Sequence, residues 1–174
     1  MVRAGSTDRF GLLVERHQAQ AMTLAVRMLR DRQDAEEAVQ DAFVRAYRAL
    51  SGFQGGARFS TWLYRIVYNV CLNRLAKVDR GAFQEPYDDE RTSPGEWTDP
   101  FEADDLVAYV RRSIASLPPK YATILSLFYL QDLSHEEICE VTALPLGTVK
   151  THLFRARALL QRTLAKELHM EQTA

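Results

Sequence analysis

Arg58, Trp62, Arg65, Asn69 and Asn73 follow one another at intervals of four, three, four and four, which puts them on one face of a helix with Tyr64 and Tyr68 alongside. Cations interleaved with rings and amides suit single-stranded nucleic acid. Rings stack on unpaired bases at about 1–3 kcal/mol per base, and amides hydrogen-bond base edges. From Arg58 to Val78 the bases Arg58, Arg65, Arg74 and Lys77 meet no acid. Trp62 and the tyrosines would serve equally well in a core, so the case rests on the set.

A second basic face lies near the end of the chain. From Pro145 to Lys166 there is no Asp or Glu, while Lys150, Arg155, Arg157, Arg162 and Lys166 supply positive charge. A solvated helix face normally mixes signs, so a single sign over this length reads as a phosphate-binding surface. Thr148, Lys150, Thr151, His152 and Arg155 fall at the start of this helix. From there Arg and Lys reach guanine O6 and N7, and Thr meets a thymine methyl. Gly147, without a side chain, would let a DNA backbone come close. The opposite charge gathers at Asp31, Asp34, Glu36, Glu37 and Asp41, against Arg32. Acids near a helix start either complement its dipole or offer a face to a basic protein.

Nothing points to catalysis. No nucleophile elbow, phosphate loop or HExxH occurs, and His17, His135, His152 and His169 stand in unrelated contexts. Cys71 and Cys139 lie in apolar-periodic segments without a CxxC pair, so they read as structural thiols rather than as a disulfide or a metal site. No cofactor, metal or small-molecule substrate is implied.

These faces need helices to carry them. Phe10, Leu13, Val14, His17, Ala21, Leu24 and Met28 recur with helical spacing and define one long helix. Asp34 with Glu37 resembles a capping box opening a second helix, whose buried stripe is Ala35, Ala38, Val39, Ala42, Phe43, Ala46 and Leu50. After the Gly52–Gly56 break a third helix runs from about Ser60 to Leu75, burying Leu63, Ile66, Val67 and Val70. Further on, Leu106, Val110, Ile114 and Leu117 mark a helix stopped by Pro118-Pro119, and Ile124, Leu125, Phe128 and Leu130 mark another. Ser134 with Glu137 is a capping box for a short helix burying Ile138 and Val141. Ala143-Leu144 turns, Pro145 suits the first turn of the last helix, and Val149, Leu153, Ala156 and Leu160 form its stripe. This is helix-turn-helix spacing.

The expected fold is all-α, with two small helical domains over 1–78 and 105–174 joined by a flexible acidic linker over 79–104. The chain has 174 residues, 47% hydrophobic and 26% charged, enough for two modest cores. Its net charge of −1 hides a segregated pattern: from Asp79 to Asp105 ten acids face two bases, a charge of −8 that leaves +7 on the remainder. That stretch also holds Pro86, Pro94 and Pro100 and no sustained period, as a linker does. Lying against the basic lobes, it would act as an intrinsic brake on DNA binding. No stretch approaches the roughly 20 apolar residues of a membrane span, and Met1–Asp8 lacks a signal-peptide core, so a cytoplasmic location is expected.

In this arrangement the chain resembles a bacterial extracytoplasmic-function (ECF) sigma factor of the sigma-70 family. Asp34-Ala35-Glu36-Glu37-Ala38-Val39-Gln40-Asp41-Ala42-Phe43 is similar to the core-binding helix of region 2. Phe59-Ser60-Thr61-Trp62-Leu63-Tyr64-Arg65-Ile66-Val67-Tyr68-Asn69 is similar to the melting and −10 recognition segment. Leu133–Ile138, Leu146–Thr151 and Arg155–Arg157 together resemble the region 4 helix-turn-helix. The resemblance implies that Asp34, Glu37, Gln40 and Asp41 dock on the clamp helices of the polymerase β′ subunit, with region 4 on the β flap. It also implies that Asn69, with Phe59 and Ile66 near it, captures a flipped base of the −10 strand, while Arg58, Trp62, Arg65 and Asn73 meet the same strand. Lys150, Thr151, Phe154 and Arg155 match the −35 readers, beside Thr148, with His152 and Arg157 on the backbone. An anti-sigma factor is the implied regulator. The chain departs from the family at Ala143, where Gly is usual and a positive φ would strain alanine, at Cys139 in place of a small Ala, and at His152 in place of Arg.

Two other readings compete. A LuxR-type regulator would account for Thr148-Val149-Lys150-Thr151-His152 but leaves the first lobe unexplained, since that lobe is too short and too helical for a receiver. A helical adaptor binding acidic proteins would show no salt-sensitive DNA binding beside polymerase.

Overall fold

The computed structural model describes residues 5–81 and 105–171, with side chains described over 9–77 and 107–165. All regular structure among them is helical: α1 (Gly5–Leu29), α2 (Arg32–Ala49), α3 (Phe59–Gly81), α4 (Asp105–Ala115), α5 (Pro119–Leu125), α6 (His135–Thr142) and α7 (Leu146–Glu171). A single 3-10 turn, Leu50–Gly52, ends α2, and a π turn, Ser126–Leu130, continues α5. The acidic segment between α3 and α4, including the expected brake, lies outside the described residues.

The first lobe is a bundle of α1, α2 and α3. Ala35, Ala38, Ala42 and Ala46 are all fully buried along one stripe of α2. These small side chains let α2 approach its neighbours closely, and Leu24, Leu63, Val67 and Cys71 fill the space between. The start of α2 corrects the expectation of a capping box at Asp34. Asp31, extended at φ −127° and ψ 130°, is the N-cap, and its carboxylate accepts the Asp34 N–H at 2.8 Å. The helix therefore begins almost a turn earlier. The third helix also exceeds its expected end at Leu75 and runs to Gly81, because no Gly or Pro interrupts it before that residue.

In the second lobe Ile114, Leu117, Ile124, Leu125, Leu127, Ile138, Val141, Val149, Leu153 and Ala156 form the core. The expected capping box is present. Ser134 Oγ accepts the Glu137 N–H at 3.1 Å, and Glu137 accepts the Ser134 N–H at 2.9 Å. Ala143 ends α6 in the left-handed region at φ 58°, so the turn does demand the conformation that glycine adopts freely. Pro145 precedes α7 rather than entering its first turn, and its carbonyl accepts the Val149 N–H at 3.0 Å.

The two lobes touch, α3 against α6 and α1 against α5. Arg27, 2% exposed, donates to the Arg111 carbonyl at 3.3 Å, and Arg30 donates to the carbonyls of Ala115 and Leu117. Ala115 is the last residue of α4, where a carbonyl lacks an intrahelical partner and carries partial negative charge, so Arg30 seals the end of that helix while Arg27 ties α1 to its last turn. Gln131 adds a bond to the Gln20 carbonyl at 3.1 Å.

Candidate nucleic-acid faces and the acidic docking face

On α3 the expected face divides by chemistry. Arg65, Asn69 and Asn73 are exposed, whereas Phe59, Trp62 and Ile66 are half-buried. Phe53, Phe59 and Trp62 pack with ring centroids 5.0–5.9 Å apart, and His17 of α1 lies 5.5 Å from Phe59. Burial, aided by Arg16, holds the His17 imidazole below its ordinary pKa. The result is an aromatic block at the start of α3 from which amides and Arg65 project into solvent. Tyr64 belongs to the core, 3% exposed, and burial pushes its hydroxyl up to about 12. Cys71 is likewise buried, its thiol pushed up to about 12 chiefly by desolvation with Arg74 opposing, as a structural thiol should be.

Arg58 stands apart from the other members of this face. Its guanidinium reaches Glu137 of α6 at 3.6 Å, and the buried Thr61 hydroxyl donates to the same carboxylate at 3.0 Å. One glutamate thus caps its own helix and ties the second lobe to the first. Burial works against its charge, but the Ser134 N–H, the Thr61 hydroxyl and Arg58 outweigh it and hold the carboxyl below its ordinary pKa.

The acidic face of α2 is paired within the chain. Arg74 of α3 lies 3.2 Å from Glu37 and 3.9 Å from Asp34, Arg45 lies 2.9 Å from Asp41, and Arg32 lies 2.9 Å from Glu36. These are solvent-exposed pairs, each worth about 0–1 kcal/mol, and a basic partner can replace them at small cost. Gln40 is exposed on the same helix.

On α7, Lys150, Thr151, Phe154, Arg155 and Arg157 are exposed, Phe154 by 73%. Thr151 turns its hydroxyl to the Gly147 carbonyl at 2.8 Å. A Cβ added at Gly147 would meet nothing within 4 Å, so the chain's own packing does not require glycine there. Two expected members do not share the open face. Thr148 is half-buried, and His152 turns inward, edge-on to Tyr121 at 6.0 Å, lining an inter-lobe cavity of about 340 Å³ with Tyr68, Lys120 and Leu144. Desolvation, then Lys120 and Arg155, lowers its pKa. Arg157 is braced by a partner no sequence pattern indicated: its Nε donates to the Tyr129 hydroxyl at 2.9 Å. Among the described residues no cluster of His, Cys, Asp and Glu could hold a metal, and no helix is long and apolar enough to cross a membrane.

A helical bundle followed by a helix-turn-helix lobe, with amides over an aromatic block on the first and a basic recognition helix on the second, is the build of a sigma factor. The family model for Sigma-70 region 2 matches residues 13–81, and that for Sigma-70, region 4 matches residues 108–160. RNA polymerase sigma-H factor of Pseudomonas aeruginosa is 36% identical over 176 residues, covering 94% of this chain and 90% of that protein. The ECF RNA polymerase sigma factor SigW of Bacillus subtilis is 33% identical over 177 residues, covering 94% and 92%. The chain belongs to the ECF RNA polymerase sigma factors of the sigma-70 family. In fold it is similar to the sigma factor RpoE of Bartonella quintana, solved with the anti-sigma factor NepR, at TM-score 0.69 and 21% identity, covering 90% of this chain and 97% of that one. It is also similar to CnrH, solved with the cytosolic domain of CnrY, at TM-score 0.61 and 24% identity, covering 92% and 90%. The region 2 match accounts for the lobe that a LuxR-type reading leaves unexplained.

Proposed function

We propose that this sigma factor binds core RNA polymerase through α2, reads the −35 element with α7, and captures and melts the −10 element with α3. The observation that carries this reading is the segregation of charge and exposure. Two acid-free outward faces stand on separate lobes, and the acids gather on a third helix beside one of them. Asp34, Glu37, Gln40 and Asp41 are the core-binding positions, and the three acids exchange their internal arginine partners for basic groups of the β′ clamp helices. Arg65, Asn69 and Asn73 take the unpaired strand above the Phe59 and Trp62 block, with Ile66 beneath and Arg58 at its edge. Lys150, Thr151, Phe154 and Arg155 enter the major groove, and Arg157 meets the backbone.

Residues 1–78 and 105–174 act as the two domains, with 79–104 as the linker between them. Joining two modest binders on one chain multiplies their affinities through effective concentration. The protein performs no chemistry of its own: it lends recognition and strand separation to the polymerase in the cytoplasm. An anti-sigma factor holds it in reserve, a role supported by the anti-sigma factor NepR solved with the RpoE that this chain resembles in fold. Run-off transcription from fragmented genomic DNA, with core polymerase and with or without the chain, is the test. Discrete new transcripts are expected. Their absence, with a core that responds to another sigma factor, would contradict the reading.

A further inference from the structure

Tyr129 lies outside every motif described above, yet the structure places it 53% exposed beside the recognition helix. The π turn Ser126–Leu130 sets it there: Leu127 points into the core, Phe128 is half-buried, and Tyr129 faces outward. Its ring meets Phe128 edge-on at 4.9 Å, and His135 stacks on Phe128 at 5.3 Å with planes 21° apart. Arg157 of α7 lies across both rings, its guanidinium carbon 5.2 Å from the Phe128 centroid and 5.6 Å from that of Tyr129. The cation is thus fixed in place by π-contact as well as by its hydrogen bond.

The hydrogen bond decides what this group can bind. Arg157 Nε donates to Tyr129 Oη at 2.9 Å, so the hydroxyl spends a lone pair and keeps its proton for another acceptor. A guanidinium bonded to the oxygen polarises that proton and strengthens it as a donor. The remaining Arg157 N–H groups and the Tyr129 O–H are thus donors held side by side, which is the chemistry of an anion site. Arg157 stands on the same stripe of α7 as Lys150 and Phe154, at intervals of four and three. The anion that this stripe meets is a phosphodiester of duplex DNA.

We propose that Tyr129 and Arg157 form a preassembled clamp for one phosphate of the upstream promoter element, with Phe128 and His135 as its positioning residues. The proposal rests on α7 docking on duplex DNA and adds Tyr129 to that surface. Because phosphates carry no sequence, the clamp contributes equally on every DNA, and its rigidity spares the entropy of ordering a free arginine.

Fluorescence anisotropy of a labelled duplex of arbitrary sequence, titrated with the full chain at low salt, tests it. Tyr129→Phe, which removes only the hydroxyl, is expected to weaken binding about three- to tenfold. Arg157→Ala should weaken it further and reduce the slope of log K against log salt by about 0.9. The double substitution should lose less than the product of the single losses, because both groups hold one phosphate. Arg155→Ala, measured on a duplex that carries an upstream element taken from the run-off transcripts, reports separately on the docking of α7. Wild-type binding by Tyr129→Phe, with Arg155→Ala weakened, would overturn the clamp and leave the parent reading standing. So would a Tyr129→Phe loss confined to particular sequences. Wild-type binding by all three single variants would overturn the docking itself and the clamp with it.

Discussion

The two DNA-facing helices are built in opposite ways. On α7 the readers protrude, with Phe154 73% exposed and Lys150, Thr151 and Arg155 open to solvent. On α3 the polar readers project from an aromatic block in which Phe59 and Trp62 pack on each other and on Phe53. The difference follows from what each helix addresses. A duplex keeps its bases stacked, so side chains must reach into the groove, and little of the protein's own packing is engaged. An extruded base needs a surface to lie against, and that surface has to be firm before the base arrives.

The sharpest way to break this comparison is to remove one aromatic from each helix. Trp62→Ala should cost about 2–4 kcal/mol of stability, because a packed ring leaves a void, whereas Phe154→Ala should stay within about 0.5 kcal/mol. Urea denaturation measures both, and equal losses would erase the distinction. Next in size, Arg155→Ala should weaken binding to the upstream element by about 1–3 kcal/mol and relax specificity at one base pair. Competition among single-base variants of the element shows which, and a uniform loss would make Arg155 a phosphate contact.

Glu137 couples the lobes that carry the two helices. Its carboxyl is held below its ordinary pKa in the folded chain, so its stabilisation is present above the unfolded carboxyl pKa and is lost as pH falls through the folded value. Glu137→Gln should cost about 1 kcal/mol near neutral pH and flatten that acid limb, as followed by urea midpoints across the acidic range. The smallest effect is a gain. Ala143→Gly should stabilise the second lobe by about 1 kcal/mol by relieving the left-handed alanine at φ 58°, and a thermal melt reads the shift.

Local patterns were legible wherever a side chain answers to its own helix. The Ser134 capping box, the alanine stripe of α2 and the helix-turn-helix spacing all follow from intervals of three and four residues. The inward turn of His152 departs from its expected place among the DNA-facing residues, and the signal for it is its spacing, three residues after Val149 and four before Ala156. The capping-box spacing of Asp34 with Glu37 points to a start almost a turn too late, because an aspartate at either position can accept an N–H three residues on, and the structure uses Asp31. What stayed hidden joins distant positions. Arg27 and Arg30 reach the end of α4 across 84 to 87 residues of chain, Thr61 meets Glu137 across 76, and Arg157 meets Tyr129 across 28. Periodicity describes one helix at a time, and these contacts exist only once helices are packed.

The division of labour between α3 and α7 is tested most directly by permanganate footprinting of a responsive promoter, with holoenzyme carrying Asn69→Ala. The account predicts that unpaired thymines in the downstream element lose reactivity while the upstream element stays protected from nuclease. Permanganate reactivity equal to wild type would contradict the assignment of base capture to Asn69 and to the face of α3 that presents it.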